Sequence, residues 1–499
     1  MKLLRELQKV LVPRQVIGSL DTMIAGVAYN SKKVEKDYLF TCIKGFRVDG
    51  HDFAAEAVAR GAVAVLAERE LPLPPAVTQI IVDDTRQALA QVAAWFYDYP
   101  SRQLTVIGVT GTNGKTSTTH LIKAILESNG HPVGLIGTIY NQIGQEKLPV
   151  TNTTPESLDL QDLFARMVAA GMEYVVMEVS SHALALQRVA ATEFDVAVFT
   201  NLTQDHLDFH PTMEDYLEAK LKLFRGLGQE AVKNRRKYAI INMDDSYGNV
   251  FAGNTRGEVH TYAINNEEAE FRAAAIDVRR DGLSFDLLTP YGNFPVKMRM
   301  SGYFTVYNAL AAAAVGFNEG IAPEKIQAAL ATMPGVPGRF ELIDEGQEFT
   351  VVVDYAHTPD GLENVLRTAR DLTAGRLIAV FGCGGDRDRK KRPLMGEVSA
   401  RLSDFTVLTS DNPRSEDPLA ILAEIEAGVT PLVGMDKYVV IPDRREAIDY
   451  ALRMARPGDV VVIAGKGHEN YQIVGDRVLP FDDREVARQC LRGMGYARN

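Results

Sequence analysis

Residues 106 to 119, Val-Ile-Gly-Val-Thr-Gly-Thr-Asn-Gly-Lys-Thr-Ser-Thr-Thr, hold the densest chemistry in the chain. An apolar run (Leu104 to Val109) enters a glycine turn, and an apolar-periodic segment (Leu121, Ile122, Ala124, Ile125, Leu126) leaves it. This strand–turn–helix layout is that of a phosphate-binding loop. Gly111 and Gly114 let the backbone turn so that its N–H groups face an anion, with Thr112, Asn113, Lys115, Thr116 and Ser117 the neighbouring candidates for ATP binding. Lys115 supplies a point charge to β- and γ-phosphates, and the Thr116 hydroxyl can ligate Mg²⁺. The general pattern places a glycine where this chain has Val109. The loop implies ATP.

Three further groups follow the loop at the ends of expected strands, where ligands of open α/β sheets collect. Glu178 closes the apolar run Val-Met-Glu-Val-Ser-Ser-His. A carboxylate there needs a cation partner or must cap a helix. The segment Thr200-Asn-Leu-Thr-Gln-Asp-His-Leu-Asp-Phe-His210 is dense in hard ligands, and its polar side chains following a buried strand make a polar surface turn the weaker alternative. Lys220, in Tyr216-Leu-Glu-Ala-Lys, taken alone reads as a solvated lysine on a helix face.

These groups need a large scaffold, and 499 residues supply about three domains at roughly 150 residues each. Apolar residues make up 46% and charged residues 24%, an ordinary globular balance. A formal net charge of −11 excludes a nucleic-acid partner, which needs a basic face. No apolar run approaches the roughly 18 residues that span a bilayer, and the N-terminus lacks a signal-peptide core, so a cytoplasmic protein with no membrane partner is expected. Cys42, Cys383 and Cys490 are too far apart for a disulfide framework, and Cys383 reads as a small buried filler.

The fold class expected is α/β in three domains. Residues 1–101 carry short strand-like runs (Val63 to Leu66, Ile80 to Val82) and an exposed loop, Leu71-Pro-Leu-Pro-Pro75. Residues 102–335 alternate apolar strands (Tyr174 to Val179, Val196 to Thr200, Tyr238 to Asn242) with amphipathic helices, which predicts a parallel sheet covered by helices. Within them, 258 to 298 alternate differently and suggest an antiparallel insertion. After the Met333-Pro-Gly-Val-Pro-Gly338 boundary, residues 336–499 carry three buried-strand runs (Thr350 to Val353, Leu377 to Phe381, Val460 to Ala464), each ending in glycine or a polar loop. They resemble a smaller dinucleotide-type, Rossmann-like domain.

Several motifs in order resemble the Mur ligase family across nearly the whole chain: Gly-Thr-Asn-Gly-Lys-Thr (111–116), Glu-Val-Ser-Ser-His (178–182), Thr-Asn-Leu-Thr-Gln-Asp-His-Leu-Asp (200–208), Gly-Arg-Phe-Glu (338–341) and Asp-Tyr-Ala-His-Thr-Pro-Asp (354–360). Asn-Thr-Thr-Pro (152–155), Phe-Gly-Cys-Gly-Gly-Asp-Arg-Asp (381–388), Asp-Asn-Pro-Arg (411–414) and Gly-Lys-Gly-His-Glu (465–469) are similar to its diaminopimelate-adding branch. Asn30-Ser31-Lys32 and Lys36-Asp37-Tyr38-Leu39-Phe40 depart from the family's N-terminal pattern.

The resemblance implies a central ATPase domain flanked by a UDP-binding domain and an amino-acid-binding domain. It implies ATP-dependent amide formation through an acyl phosphate, with two Mg²⁺ ions. Lys115, Glu178, His206 and Lys220 would be catalytic; Thr116 and Glu178 would bind one metal, and His206 with a carbamylated Lys220 the other. Asn308, Arg339 and Asp354 would contact adenine, phosphate and ribose, with His357 either structural or a ligand. UDP-N-acetylmuramoyl-L-alanyl-D-glutamate would meet Tyr29, Ser31 and Phe46-Arg47-Val48, and its dipeptide end Asn152, Thr153, Thr154, Ser180 and Arg188. Ser157 and Ser180 can equally be helix N-caps. meso-Diaminopimelate would meet Arg387, Asp411, Asn412, Pro413, Arg414, Gly465 and Glu469, whereas Arg389 and Arg392 fit a surface loop. A monomer is expected. The alternatives are an L-lysine-adding relative, a folylpolyglutamate-synthase-like ligase and a non-catalytic nucleotide-binding module.

Overall fold

The computed structural model describes residues 1–46, 48–229, 231–280 and 282–496, and Arg47 lies outside the described residues. Three sheets organise three domains. The N-terminal sheet has five strands in the order Gln15–Ile17, Thr78–Ile81, Ala62–Ala67, Tyr38–Thr41 and Gly26–Ala28; the last four are parallel. The helix Thr85–Phe96 closes it. Asp84 caps that helix by accepting from the N–H groups of Arg86 and Gln87, and Leu89, Val92 and Ala93 are fully buried beneath it. The 71–75 loop is less exposed than expected. Leu71 and Leu73 pack on the domain core, and the Gln79 side chain bonds both backbone groups of Leu71.

The central sheet has eleven strands. Seven are mutually parallel, in the order Val133–Ile136, Tyr174–Glu178, Thr105–Thr110, Val196–Phe199, Tyr238–Asn242, Glu258–Ala263 and Phe271–Arg279. Antiparallel strands extend both edges: Asn141–Ile143 and Glu146–Leu148 on one side, Gly282–Thr289 and Gly292–Met298 on the other. Residues 258–298 are therefore the continuation of this sheet rather than an insertion. Their alternating pattern arises because the outer hairpin has one face in solvent, whereas Thr105–Thr110 and Tyr174–Glu178 are buried throughout. The helix Tyr303–Asn318 is apolar nearly all round and packs against Lys115–Ser128. At Gly316 a Cβ would stand 2.7 Å from Ile125 Cγ2, so glycine sets how closely the two helices approach.

The C-terminal sheet has six strands, Glu341–Ile343, Thr350–Asp354, Val460–Ala464, Leu377–Phe381, Phe405–Leu408 and Tyr438–Val440, parallel except for the first. Val460–Ala464, last of the parallel strands in the chain, inserts between the first two. The loops after Asp354, Phe381 and Ala464 therefore diverge at a switch point that opens a crevice. Cys42, Cys383 and Cys490 are free and buried, and the Cys383 thiol rests on Met395 Sδ at 3.6 Å. No helix among the described residues is long and apolar enough to cross a membrane.

Candidate active site

One cleft of about 1490 Å³ runs between the ends of the central and C-terminal strands. At its base the strand Thr105–Thr110 delivers the chain into the phosphate loop and the helix Lys115–Ser128. Gly111 (φ +149°) passes so close to Thr200 that a Cβ would lie 1.9 Å from its hydroxyl oxygen. Gly114 (φ +84°) packs on Asn308, whose Oδ1 would meet a Cβ at 2.6 Å and accepts from Thr118 Oγ1 at 3.2 Å. Both positions thus require glycine. Val109 is buried inside the strand, paired with Glu178 and Val198, so the missing pattern glycine lies outside the anion cradle.

Two lysines converge on one carbonyl. Lys115 Nζ donates to Gly111 O (2.9 Å) and Thr112 O (2.7 Å), and Lys220 Nζ donates to Gly111 O (2.8 Å). Lys220 is 1% exposed, with Nζ 4.5 Å from the centre of the Tyr216 ring, so it is not a solvated helix-face lysine. Burial first, and Lys115 second, hold Lys220 well below the ordinary lysine range. Burial likewise lowers Lys115, against the pull of Glu178 and Asp205.

Glu178 is 1% exposed at its strand end and caps no helix. Its carboxylate accepts from Thr138 N (2.8 Å), Thr138 Oγ1 (2.9 Å) and Thr116 Oγ1 (3.1 Å). Arg339 of the C-terminal domain donates to the same Thr116 hydroxyl at 3.0 Å and lies over the Tyr355 ring. Asn113 Nδ2 and Thr203 Oγ1 donate to Asp360 at 2.6 and 3.2 Å, two further bonds between the two domains. Asp354 lines the cleft, but its carboxylate is used locally, accepting from Phe340 N and Ala356 N.

The segment after Phe199 bends back over the loop. Asn201 Oδ1 accepts from Asn113 N at 2.9 Å, and the Thr200 hydroxyl donates to Asn113 O at 2.6 Å. His206 adopts φ +56°, with Nε2 3.2 Å from Asp205 and its ring edge-on to His182 at 4.8 Å. Enclosure pushes His206 down to about 3 despite Asp205, with His182, Lys115 and Lys220 adding to the effect. A neutral imidazole at pH 7 can donate a lone pair. His357 is also pushed down, to about 4, chiefly by burial, and its Nδ1 pairs with Tyr355 O, a structural bond.

Asn152, Thr153, Ser180 and Arg188 line one wall. Ser180 doubles as the N-cap of Ser181–Ala185, whereas the residue capping position before Ser157 is Glu156. Thr154 is wholly buried and works as a brace, donating to Glu178 O and accepting from Ser180 N. Arg188 pairs with Glu156 at 2.8 Å and Thr154 O at 3.0 Å, while its Nε has no partner among the described residues. Phe46 stands at the rim, 75% exposed and edge-on to Phe209. Tyr29 and Ser31 do not line this cleft. Tyr29 donates to Asp159, which with burial raises its pKa, and Ser31 is buried against Glu56. Val48 is exposed outside it.

At the far end three loops meet. Asp411, Asn412 and Arg414 come from the first, Gly382, Gly384 and Arg387 from the second, and Gly465 and Glu469 from the third. Pro413 is in the turn but does not line the cleft. Arg414 adopts φ +52°; its N–H donates to Ile473 O and its Nη1 to Gly385 O at 2.8 Å. Asn412 donates to Glu469 (2.9 Å) and accepts from Lys466 (3.2 Å), a fully buried lysine also paired with Glu469. Arg389 is exposed and paired with Glu424, but Arg392 is completely buried, contrary to its expected place on a surface loop. Thr138, Asp205, Asp360 and Lys466 were not singled out from sequence. Asp205, Asp360 and Lys466 stand inside the motifs at 200–208, 354–360 and 465–469, and Thr138 carries no local signal.

Family models cover the same three parts: the Mur ligase family catalytic domain at residues 23–97, the Mur ligase middle domain at 109–316 and the Mur ligase glutamate ligase domain at 338–467. The chain is 53% identical over 476 residues to UDP-N-acetylmuramoyl-L-alanyl-D-glutamate–2,6-diaminopimelate ligase of Syntrophomonas wolfei, covering 95% of this chain and 96% of that one. It belongs to the Mur ligase family. The ligase of the same name from Geobacillus kaustophilus is 52% identical, with 95% and 96% covered. A solved structure of such a ligase superposes with TM-score 0.69 at 34% identity over 99% of both chains. A Mycobacterium tuberculosis folylpolyglutamate synthase shares the fold, with TM-score 0.62 at 18% identity over 83% of this chain and 95% of that one. Membership makes the chain an ATP-dependent ligase with the Mur ligase arrangement of three domains.

Proposed function

We infer that this enzyme joins meso-2,6-diaminopimelate to the D-glutamyl γ-carboxylate of UDP-N-acetylmuramoyl-L-alanyl-D-glutamate, a step of peptidoglycan precursor synthesis. The observation that carries it is the far end of the cleft, where Arg414, Arg387, Asp411 and Glu469 present two cationic and two anionic groups. An amino acid with a carboxylate and an ammonium at each end needs that set. A guanidinium reads a carboxylate and repels a lone ammonium, which favours diaminopimelate over L-lysine. Arg414 takes the distal carboxylate, Asp411 and Glu469 the distal ammonium, and Arg387 the carboxylate beside the reacting amine.

The γ-carboxylate attacks the γ-phosphorus of ATP, and ADP leaves. The amine then attacks the acyl carbon, loses its proton and expels phosphate. Both reactants of the first step are anions, so cationic groups must hold them together. Lys115 and the N–H groups of Lys115, Thr116 and Ser117 hold the triphosphate, those of Thr112 and Asn113 being bonded to Asn201; Asn308, Arg339 and Asp354 are assigned to the nucleotide. Asn152, Thr153, Ser180 and Arg188 hold the dipeptide, and Phe46, Arg47, Val48, Tyr29 and Ser31 belong to the uridine-binding domain.

The donors suit Mg²⁺. Glu178 and the Thr116 hydroxyl, 3.1 Å apart, are hard oxygen ligands that leave most positions to phosphate and water. Among the described residues no three His, Cys, Asp or Glu come together as a metal site. We assign a second site to His206 and to Lys220, the latter once its neutral amine has added CO₂ and lost a proton to become a carbamate. Bound Mg²⁺ would neutralise charge on the reacting oxygens. We further assign residues 1–101, 102–335 and 336–499 to the three domains, and a cytoplasmic monomer as the working form.

The test is phosphate release by the purified protein with ATP, UDP-muramoyl-dipeptide and a panel of amino acids. Release dependent on diaminopimelate is expected. Silence with diaminopimelate, or equal release with L-lysine, would overturn the assignment.

A further inference from the structure

The two arginines assigned to the amino acid stand on separate loops, and an ion pair between a buried arginine and a half-buried glutamate, neither of them among the residues assigned to a ligand, bridges those loops. Arg392 lies in the helix Lys391–Leu402 and is completely buried. Its Nη1 and Nη2 donate to Glu416 Oε2 (2.9 Å) and Oε1 (2.8 Å), a two-point fork. Nη1 also reaches Glu424 (2.8 Å), and Nη2 reaches Gly384 O (3.3 Å). Glu416 accepts in addition from Asp386 N, and the Asp386 carboxylate accepts from Ser415 Oγ (2.6 Å) and Ser415 N (3.3 Å). Gly385 N donates to Asn412 O at 2.9 Å. The loop of Arg387 is thus sewn to the loop of Arg414 through Arg392 and Glu416.

The seam is tight. A Cβ on Gly385 would lie 1.9 Å from Pro413 O, and one on Gly384 2.8 Å from Arg414 Nη1. Asp386 (φ +53°) and Arg414 (φ +52°) both hold left-handed backbone on facing loops, a conformation that persists only where surroundings impose it. Two like charges also face one another across the seam: after burial itself, Arg387 is the largest influence lowering the Arg414 pKa. Something must oppose their separation. A guanidinium fork does so with direction, which a lysine ammonium would not.

We propose that Arg392 and Glu416 are a positioning pair that sets the Arg387-to-Arg414 spacing and thereby the length of amino acid the cleft accepts. The identity of that amino acid rests on the function inferred above. The spacing role does not.

Glu416→Gln tests it, because it keeps side-chain size, leaves the Arg392–Glu424 pair and changes a partly exposed residue. The KM for diaminopimelate should rise roughly tenfold or more, the scale of sub-ångström misplacement of positioned groups. The kcat and the KM values for ATP and UDP-muramoyl-dipeptide should hold within about twofold on the same scale. Arg392→Lys, which keeps the charge but loses the fork, should do likewise. In an Arg414→Ala background Glu416→Gln should add less than it does in wild type, since a residue acting through another is non-additive with it. An unchanged diaminopimelate KM, an equal rise in all three KM values, or effects that multiply in the double variant would each overturn the proposal. If Arg392→Lys does not fold, Glu416→Gln and the double variant decide. Should wild type prefer another amino acid, the functional assignment fails, and the same kinetics on that amino acid still judge the pair.

Discussion

The two ends of the cleft recognise charge in opposite ways. At the phosphate end the chain uses backbone: one buried strand, a glycine turn and a helix N-terminus, all within fourteen consecutive residues. Asn201 holds the turn through the Thr112 and Asn113 N–H groups, and Lys115 adds one charge. At the end assigned to the amino acid three loops from three strands supply Arg387, Arg414 and Glu469, and side chains hold them together. Backbone sites suit a ligand common to many enzymes. Side-chain sites can be re-tuned one residue at a time, which is where substrate choice belongs.

The largest break in this comparison is Lys115→Ala. Its charge meets charge developing on the transferred phosphoryl group, so kcat should fall about 10²–10³-fold while far-UV circular dichroism stays unchanged. Near-normal kcat at saturating ATP would confine the lysine to binding. Arg414→Ala, at the other end, should remove about 2–3 kcal/mol from kcat/KM for diaminopimelate and much less for L-lysine. A variant that kept its preference would take specificity away from this turn.

Lys220 sharpens the contrast, being the one side chain at the phosphate end that is expected to be remade chemically. Its depressed basicity leaves it free to react with CO₂. Enzyme equilibrated with ¹³C-bicarbonate should show a carbamate carbon resonance that is missing from Lys220→Gln. Identical spectra would mean the amine remains unmodified.

The smallest expected effect is on stability. Burial first, then Arg339, lowers His468 to about 3 in the folded protein. The unfolded chain binds a proton near pH 6.5, so it holds more protons than the fold between pH 6.5 and about 3. This histidine's contribution therefore falls as pH drops, by at most about 2 kcal/mol at pH 5. His468→Gln should flatten denaturant-measured stability between pH 7 and 5. An unaltered slope would show that His468 titrates normally.

Much of the molecule follows from local pattern. The buried runs ending at Thr110, Glu178, Phe381 and Ala464 are strands because β-branched apolar residues favour a sheet covered on both faces, and a Gly-Lys-Thr turn between strand and helix presents N–H groups wherever it occurs. Such features depend on neighbours in sequence, and so the phosphate loop, the order of elements and the three-part organisation were legible without coordinates. Where side chains meet at long range, pattern misled. Arg392 read as a surface residue because nothing nearby shows that Glu416 and Glu424 will enclose it; Lys220 read as solvated because Gly111, more than a hundred residues away, supplies its partner. The strand exchange that sets Val460–Ala464 between Thr350–Asp354 and Leu377–Phe381 likewise brings Gly465 and Glu469 to the Asp411 turn. The sequence by itself determined the strand–turn–helix of the phosphate loop and the order of the motifs assigned to metal and amino acid. Only the tertiary structure decided which of them share a cleft, since burial and charge pairing are properties of the packed chain.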